Sequence, residues 1–193
     1  AVGYNEAAKS FDKAKQVVYT GNPVRPDVLV DSRVEGRKHF GLSDDIFTVL
    51  IAGGSRGART INNAMIDVHK HFQGKDGIKL IHITGNGEYT SVLEKLGIND
   101  GSGLGESSLI LPYLHDMPKA LAATDLAVFR SGAIGLAELA VRGIPSVLVP
   151  YPYAAEDHQT YNARIFVQEG AAHMIVDKVL TSHDLIGEIE MFM

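Results

Sequence analysis

The chain has 193 residues, enough for one large domain, and contains no cysteine, which excludes disulfides and thiolate metal sites. A hydrophobic fraction of 45%, a charged fraction of 21% and a net charge of −5 are typical of a globular protein and argue against a broad nucleic-acid-binding face. No apolar run approaches the roughly 18 residues of a membrane span.

The first 30 residues differ in pattern from the rest of the chain. Residues 17–20 predict a short strand, and the following Gly-Asn-Pro-Val-Arg-Pro run at 21–26 is typical of a stiff linker. The sequence also does not start with Met. We therefore expect a fragment of a longer protein, in which residues 1–26 are the tail of a preceding domain plus linker and residues 27–193 form the main domain.

Six short apolar runs predict buried strands, at residues 47–52, 79–84, 108–111, 126–129, 146–149 and 172–176. Continuous Val, Ile and Leu runs bounded by Gly or Pro are typical of parallel strands that are covered on both faces.

Amphipathic segments follow these strands and predict helices, at residues 58–72, 88–96, 117–123, 133–142, 158–168 and 181–193. Gly97 and Gly143 stand at expected C-caps, and Thr181 with Asp184 fits a capping box. The alternation of strand and helix predicts an α/β fold, a Rossmann-like doubly wound parallel sheet. Its ligands would bind at the carboxyl ends of the strands.

The first candidate site is the Gly-Gly-Ser-Arg-Gly-Ala run at residues 53–58, between a strand and a helix. Glycines allow close approach of the backbone, and the free N–H groups of a helix start attract an anion such as phosphate. The same run also fits the G-x-S-x-G elbow of serine hydrolases, with Ser55 as nucleophile. Labelling of Ser55 by a fluorophosphonate would distinguish the two hypotheses.

The second candidate site is the start of the helix at residue 133. Small residues from Gly132 to Gly135 expose backbone donors suited to a diphosphate. Glu138 lies farther along this helix, where a carboxylate can accept hydrogen bonds from both hydroxyls of a ribose diol. The alternative is a solvated glutamate that the helix dipole favours.

The third candidate site is the start of the helix at residue 158. Gln159 and Asn162 lie three residues apart, hence on one helical face, and amides suit sugar hydroxyls. Alternatively, Asp157 caps the helix and the amides are solvated. Nothing in the spacing of the histidines predicts a metal site, since His69 and His71 face different ways on a helix, and we expect no metal and no cofactor.

Five separated motifs resemble the C-terminal half of the MurG family of bacterial N-acetylglucosaminyltransferases. They are Thr-Gly-Asn-Pro-Val-Arg at 20–25, Gly-Gly-Ser-x-Gly-Ala-Arg at 53–59, Arg-Ser-Gly-Ala at 130–133 with Glu-Leu-Ala at 138–140, Gly-x-Pro at 143–145, and Asp-His-Gln-Thr-x-Asn-Ala-Arg at 157–164. Position 56 is Arg where the family motif has Gln. The resemblance implies the C-terminal domain of a GT-B glycosyltransferase.

The resemblance also implies an activity and its partners. The family transfers N-acetylglucosamine from UDP-N-acetylglucosamine to undecaprenyl-pyrophosphoryl-N-acetylmuramyl-pentapeptide, converting lipid I to lipid II in peptidoglycan biosynthesis. The full-length protein would therefore serve cell-wall biogenesis, cell shape and cell division. It would lie in the bacterial cytoplasm, peripheral on the inner face of the cell membrane, with no nucleic-acid partner. A related GT-B enzyme, such as a UDP-N-acetylglucosamine epimerase, is an alternative.

The resemblance implies contacts to each part of the donor: ribose by Glu138, diphosphate and nucleoside by the backbone of Ala133, Ile134, Gly135, Leu136 and Ala137, phosphate by Ser55 and Arg25, uracil by the main chain of Leu114, and sugar by Gln159 with Asn162. No residue matches the catalytic histidine of the family's N-terminal half. Glu156, Asp157 and His158 are the bases nearest to the presumed donor site, but we expect no catalytic residue here. The chain would be the donor-binding half, inactive alone.

Overall fold

A six-stranded sheet forms the centre of the computed structural model, which describes residues 1–4, 11–54 and 57–193. The strands are β1 (Phe47–Ala52), β2 (Ile78–Ile83), β3 (Ser108–Leu111), β4 (Leu126–Phe129), β5 (Ser146–Leu148) and β6 (Ala172–Met174). All neighbouring strands are parallel, in the order β3-β2-β1-β4-β5-β6. This confirms the predicted strands to within a residue or two and the doubly wound parallel sheet.

Helices alternate with these strands as predicted. They are α1 (Pro26–Val30), α2 (Arg33–His39), α3 (Arg59–Phe72), α4 (Tyr89–Leu96), α5 (Met117–Ala123), α6 (Ala133–Arg142), α7 (His158–Gln168) and α8 (Ser182–Phe192). Gly97 and Gly143 end α4 and α6 in the left-handed conformation, and Thr181 and Asp184 form the predicted capping box of α8. In the part of the chain that the structure describes, no helix combines the length and apolar character needed to traverse a bilayer.

Apolar residues cover both faces of the sheet. Along β1, Val49 and Ile51 belong to a core that includes buried side chains of α3 and α8. Leu50 and Ala52 belong to a second core, with buried side chains of α1, α5, α6 and α7. Successive residues of a strand point to opposite faces, which is why the sequence of a doubly covered strand is continuously apolar rather than alternating.

The segment before β1 differs from its prediction. The strand predicted at residues 17–20 is wrong, because this region holds only an isolated bridge between Val2 and Tyr19. Helices α1 and α2 were not predicted, although Pro26 opens α1 and Ser32 with Glu35 forms a capping box for α2. Both are ordinary helix-start signals. The chain already packs on the core ahead of α1, because Val24 is partly buried against it.

A buried arginine anchors α2 to the amino-terminal edge of the sheet. The guanidinium of Arg37 donates to the carbonyls of Ser43 and Ile46, the latter at 2.6 Å, and pairs with Asp125 at 3.4 Å. Asp125 also accepts a hydrogen bond of 2.8 Å from the backbone N–H of Thr48. These bonds fix the starts of β1 and β4 relative to each other, and so fix the two strands whose opposite ends border the candidate site.

The strand order reverses between β1 and β4. Helix α3 follows β1 on one face of the sheet, and α6 follows β4 on the other face. Where the connections after two neighbouring strands pass to opposite faces of the sheet, a crevice remains between them at the carboxyl ends of the strands. Ligands of such sheets bind in this crevice.

Candidate functional site

A cleft of about 1110 Å³ lies at this reversal point. Its walls come from the segments that follow β1, β2, β3, β4 and β5, together with Asp177 after β6. The site residues predicted from the sequence that line it are Arg25, Leu114, Ile134, Gly135, Glu138 and Gln159. Ser55, the predicted phosphate contact, lies outside the described residues. The cleft is about as large as, or slightly larger than, the roughly 300–1,000 Å³ typical of small-molecule sites.

Glycines shape the loop between β1 and α3. Gly54 and Gly57 have φ values of 88° and 76°, in the left-handed region. A Cβ at Gly57 would lie 1.9 Å from the carbonyl oxygen of Thr84, so the loop packs directly on the backbone after β2 and only glycine fits. Ala58 at the N-cap of α3 has no capping side chain. The first N–H groups of α3 therefore remain available to an anion at the cleft.

Helix α6 also begins without a capping side chain, at Gly132. The N–H of Leu136 donates to the carbonyl of Gly132 at 3.0 Å, so the free N–H groups of α6 belong to the residues before it. The side chain of Leu136 is fully buried in the core, and neither it nor Ala137 or Ala133 lines the cleft. Within the predicted run, a ligand would meet Ile134, Gly135 and, one turn farther on, Glu138.

Glu138 is a buried carboxylate in the wall of the cleft, with 7% of its surface exposed. Its Oε1 accepts a hydrogen bond of 3.2 Å from Nε of Arg25, whose side chain is half-exposed. The same Nε lies 3.8 Å from Asp27. Glu138 is therefore not the solvated helix residue of the alternative interpretation, and the segment before α1 brings Arg25 into the cleft.

Gln159 and Leu114 lie on other parts of the wall. The side-chain oxygen of Gln159 accepts a hydrogen bond of 2.9 Å from the backbone N–H of Tyr151, which leaves its NH₂ group as the part that can donate to a ligand. Leu114 is partly buried against the core beneath α5 and α6. It follows β3, so its main chain stands at the carboxyl edge of the sheet.

Asn162 does not share the exposed face predicted for it with Gln159. It is buried, and its Nδ2 donates to the carbonyl of Ser131 at 3.1 Å. The hydroxyl of Ser131 in turn donates to the carbonyl of Gln159 at 2.8 Å. The predicted sugar contact of Asn162 is therefore wrong for this geometry, because its amide is used to hold the start of α7 against the loop before α6.

Arg130 and Asp177 form a buried ion pair that sequence reasoning did not assign. Nη1 of Arg130 lies 2.5 Å from Asp177 and donates to the carbonyls of Val149 and Pro150, each at 3.0 Å. Asp177 also accepts a hydrogen bond of 3.1 Å from the hydroxyl of Thr60. The pair ties the segments after β4, β5 and β6 to α3. Arg130 stood in a quoted motif, but its partner lies 47 positions away and no local pattern points to it.

Two buried histidines, His69 and His82, connect α3 to the backbone that follows β2. His69 bonds Ser108 at 2.9 Å and His82 at 3.1 Å, and His82 bonds the side-chain oxygen of Asn62 at 3.0 Å. Asn62 then donates from Nδ2 to the carbonyl of Thr84 at 2.9 Å. Two neutral rings satisfy every bond in this chain. Burial favours the neutral form, since it lowers the pKa of His69 to about 4 and that of His82 well below its usual value.

All four ring nitrogens of this histidine pair have hydrogen-bond partners within the protein, which indicates a structural role. Across residues 1–4, 11–54 and 57–193, no group of three or more His, Cys, Asp or Glu side chains is arranged to hold a metal ion.

Residues 155–157, directly before α7, lie outside the cleft wall. Glu156 and Asp157 have φ values of 51° and 54°, which is unusual for residues other than glycine. Asp157 occupies the N-cap position, but its side chain accepts a hydrogen bond of 2.6 Å from the hydroxyl of Thr160 rather than from a backbone N–H. His158 donates to the carbonyl of Ala155 at 2.8 Å. None of the three candidate bases lines the cleft.

Residues 48–193 match the family described as "Glycosyltransferase family 28 C-terminal domain". The chain belongs to this family. The match spans the sheet, both uncapped helix starts and Glu138, so the family assignment rests on the same region as the cleft.

Two curated relatives carry the same name, UDP-N-acetylglucosamine–N-acetylmuramyl-(pentapeptide) pyrophosphoryl-undecaprenol N-acetylglucosamine transferase. The protein from Desulforudis audaxviator is 41% identical over 190 residues, which are 98% of this chain and 51% of the relative. The protein from Desulfitobacterium hafniense is 45% identical over 184 residues, which are 95% of this chain and 50% of the relative. The chain thus spans about half the length of the curated relatives it matches.

A solved structure has the same architecture. The crystal structure of MurG from Acinetobacter baumannii matches 92% of this chain and 49% of its own chain, with a TM-score of 0.68 and 25% identity. This confirms the predicted GT-B fold and the predicted resemblance to the MurG family. Both curated relatives are transferases by name, and neither is named a hydrolase or an epimerase.

Proposed function

We propose that this chain is the donor-binding half of an N-acetylglucosaminyltransferase that uses UDP-N-acetylglucosamine. The observation that carries the proposal is the meeting, in one cleft, of an uncapped start of α6, a buried Glu138 and Arg25. Together these groups match the negative charge of a diphosphate and the diol of a ribose. The family assignment supports the same conclusion.

In this proposal the diphosphate lies at the amino-terminal end of α6. The free N–H groups of its first turn and the guanidinium of Arg25 neutralise the charge, and Ser55 adds a phosphate contact. These groups supply enough positive character for binding without a divalent cation. We therefore propose that neither a metal nor another cofactor is required.

The nucleoside and the sugar occupy the remaining walls of the cleft. Glu138 accepts hydrogen bonds from the two ribose hydroxyls, and the main chain of Leu114 contacts the uracil. The NH₂ group of Gln159, whose oxygen is held by Tyr151, donates to the N-acetylglucosamine. Leu136 and Ala137 act as parts of the helix rather than through free amides, because the N–H of Leu136 is already used within α6.

The acceptor and the catalytic groups are proposed to lie in the half of the relatives that this chain does not match. The acceptor would be undecaprenyl-pyrophosphoryl-N-acetylmuramyl-pentapeptide, and the product lipid II. Residues 1–26 would be the end of the acceptor domain and its linker, and residues 27–193 the donor domain. The complete protein would work in the bacterial cytoplasm, bound peripherally at the inner face of the membrane, in cell-wall synthesis, cell shape and division.

A transfer assay tests this division of labour. Radiolabelled UDP-N-acetylglucosamine and lipid acceptor are incubated with this chain and, separately, with the complete protein that contains it. The complete protein should transfer the label and this chain should not, because transfer needs a base placed within about 3 Å of the acceptor hydroxyl. Comparable turnover by the two proteins would refute the proposal that the chain is half of an enzyme.

A further inference from the structure

Arg25 and Glu138 bond each other, although the proposed function assigns the diphosphate to Arg25 and the ribose to Glu138. We propose that Arg25 is a selectivity gate: while it bonds Glu138 it weakens the binding of a nucleoside's ribose, and a diphosphate opens the gate by drawing the guanidinium away. The inference rests on the proposed function, because it assigns the ribose to Glu138. It adds a reason why the site would select nucleoside diphosphates over nucleosides.

The ribose and Arg25 compete for the same oxygen. Nε of Arg25 lies 3.2 Å from Oε1 of Glu138, and the carboxylate is nearly enclosed by the protein. A vicinal diol bonds a carboxylate best when each hydroxyl donates to its own oxygen. Because little of the Glu138 carboxylate is open to the cleft, a hydroxyl that donates to Oε1 competes with Nε of Arg25 for that open surface.

Arg25 is held loosely enough to move. It reaches Glu138 through Nε, its side chain is half-exposed, and a second carboxylate, Asp27, lies 3.8 Å from the same nitrogen. An ion pair with one exposed partner typically changes an equilibrium constant by about twofold to fivefold. A dianionic ligand compensates for the lost pair by bonding Arg25 itself, whereas a neutral nucleoside does not.

A diphosphate would lie within reach of the guanidinium. Glu138 stands three residues after Gly135, which is about 4.5 Å along the axis of α6. The free N–H groups at the start of α6 are therefore about one turn from the position where Arg25 now bonds. Arginine binds phosphate through two parallel hydrogen bonds, so an anion held at the helix start competes directly with Glu138 for it.

The consequence is a coupling between phosphate binding and ribose binding. Phosphate draws Arg25 away and frees Glu138, so each part of UDP promotes the binding of the other. Uridine, which has no phosphate, has to displace Arg25 without compensation. Removing Arg25 should therefore have opposite effects on the two ligands: it should strengthen the binding of uridine and weaken the binding of UDP.

The experiment measures dissociation constants for uridine, by NMR titration, and for UDP, by calorimetry, with the wild-type chain and with Arg25→Ala and Arg25→Gln. Both variants should bind uridine about twofold to fivefold more tightly. They should bind UDP about tenfold or more weakly, because a charge-assisted phosphate contact is lost. The gain for uridine should vanish with 2′,3′-dideoxyuridine, which has no diol.

Arg33→Ala is the matched control. Arg33 is also a half-exposed arginine paired with a carboxylate, Asp125 at 2.7 Å, but it lies on α2 and does not line the cleft. Its removal should leave the uridine affinity unchanged, and thermal unfolding should show that all variants are folded.

Two results would overturn the gate: uridine binding that is unchanged or weaker in both Arg25 variants, or an equal gain in Arg33→Ala. Failure of the wild-type chain to bind UDP would instead overturn the proposed function itself.

Discussion

Replacement of Glu138 by alanine should weaken UDP far more than 2′,3′-dideoxy-UDP. A hydrogen bond from a hydroxyl to a carboxylate contributes about 1.5–3 kcal/mol, and Glu138 is buried, so water screens it little. Against this stands the loss of the pair with half-exposed Arg25, worth about 0.2–1 kcal/mol. The difference leaves a net loss of about 0.5–2.8 kcal/mol, or about twofold to a hundredfold in the dissociation constant of UDP.

Calorimetric titration of both ligands into the wild-type chain and Glu138→Ala provides the measurement. The dideoxy ligand has no hydroxyls for Glu138, so its affinity should fall little or even rise as Arg25 is released to the diphosphate. Glu94→Ala, which removes an exposed glutamate from α4, controls for the change in net charge and should alter neither affinity. Equal losses for UDP and dideoxy-UDP would show that Glu138 does not recognise the ribose.

Three further outcomes follow from the walls and support of the cleft. Gly57→Ala should weaken UDP binding about tenfold or more and lower the melting temperature, because the new Cβ would collide with the carbonyl oxygen of Thr84. A UDP dissociation constant that calorimetry finds unchanged would contradict this. Arg130→Ala should destabilise the chain by about 3–5 kcal/mol in urea unfolding, because the buried carboxylate of Asp177 loses its opposite charge. Asp177→Ala in the same chain should recover part of the loss. His69 should lower the free energy of unfolding by about 3 kcal/mol between pH 6.5 and pH 4. Its pKa of about 4 lies below the value of about 6.5 in the unfolded chain, so in this window it is mainly the unfolded chain that binds a proton. The variant His69→Gln should lose that part of the pH dependence.

The fold was predictable because its signals are local. Strands that are covered on both faces, such as β1, are continuously apolar, and glycines such as Gly97 and Gly143 mark helix ends by their own conformation. The starts of α1 and α2 carried equally local signals, at Pro26 and Ser32. The start of α1 was missed because two prolines in a short segment also fit a linker, whereas the capping box of α2 lies beyond that linker and was legible in the sequence.

The site was predictable only in part, for a physical reason. Small residues after a strand identify helix starts that can bind an anion, which is a local property. The partner of a buried polar side chain depends on how distant segments pack. The sequence therefore did not reveal that Asn162 holds Ser131, that Arg130 pairs with Asp177, or that Arg25 bonds Glu138.

The central claim is that the cleft between α3 and α6 binds UDP-N-acetylglucosamine without a metal. Calorimetric titration of this sugar nucleotide into the chain, in the presence of excess chelator, tests the claim most directly. The account predicts saturable binding of one ligand per chain, unchanged by the chelator and abolished by competing UDP. A folded chain that gives no binding heat, or binding that disappears when chelator is added, would contradict it.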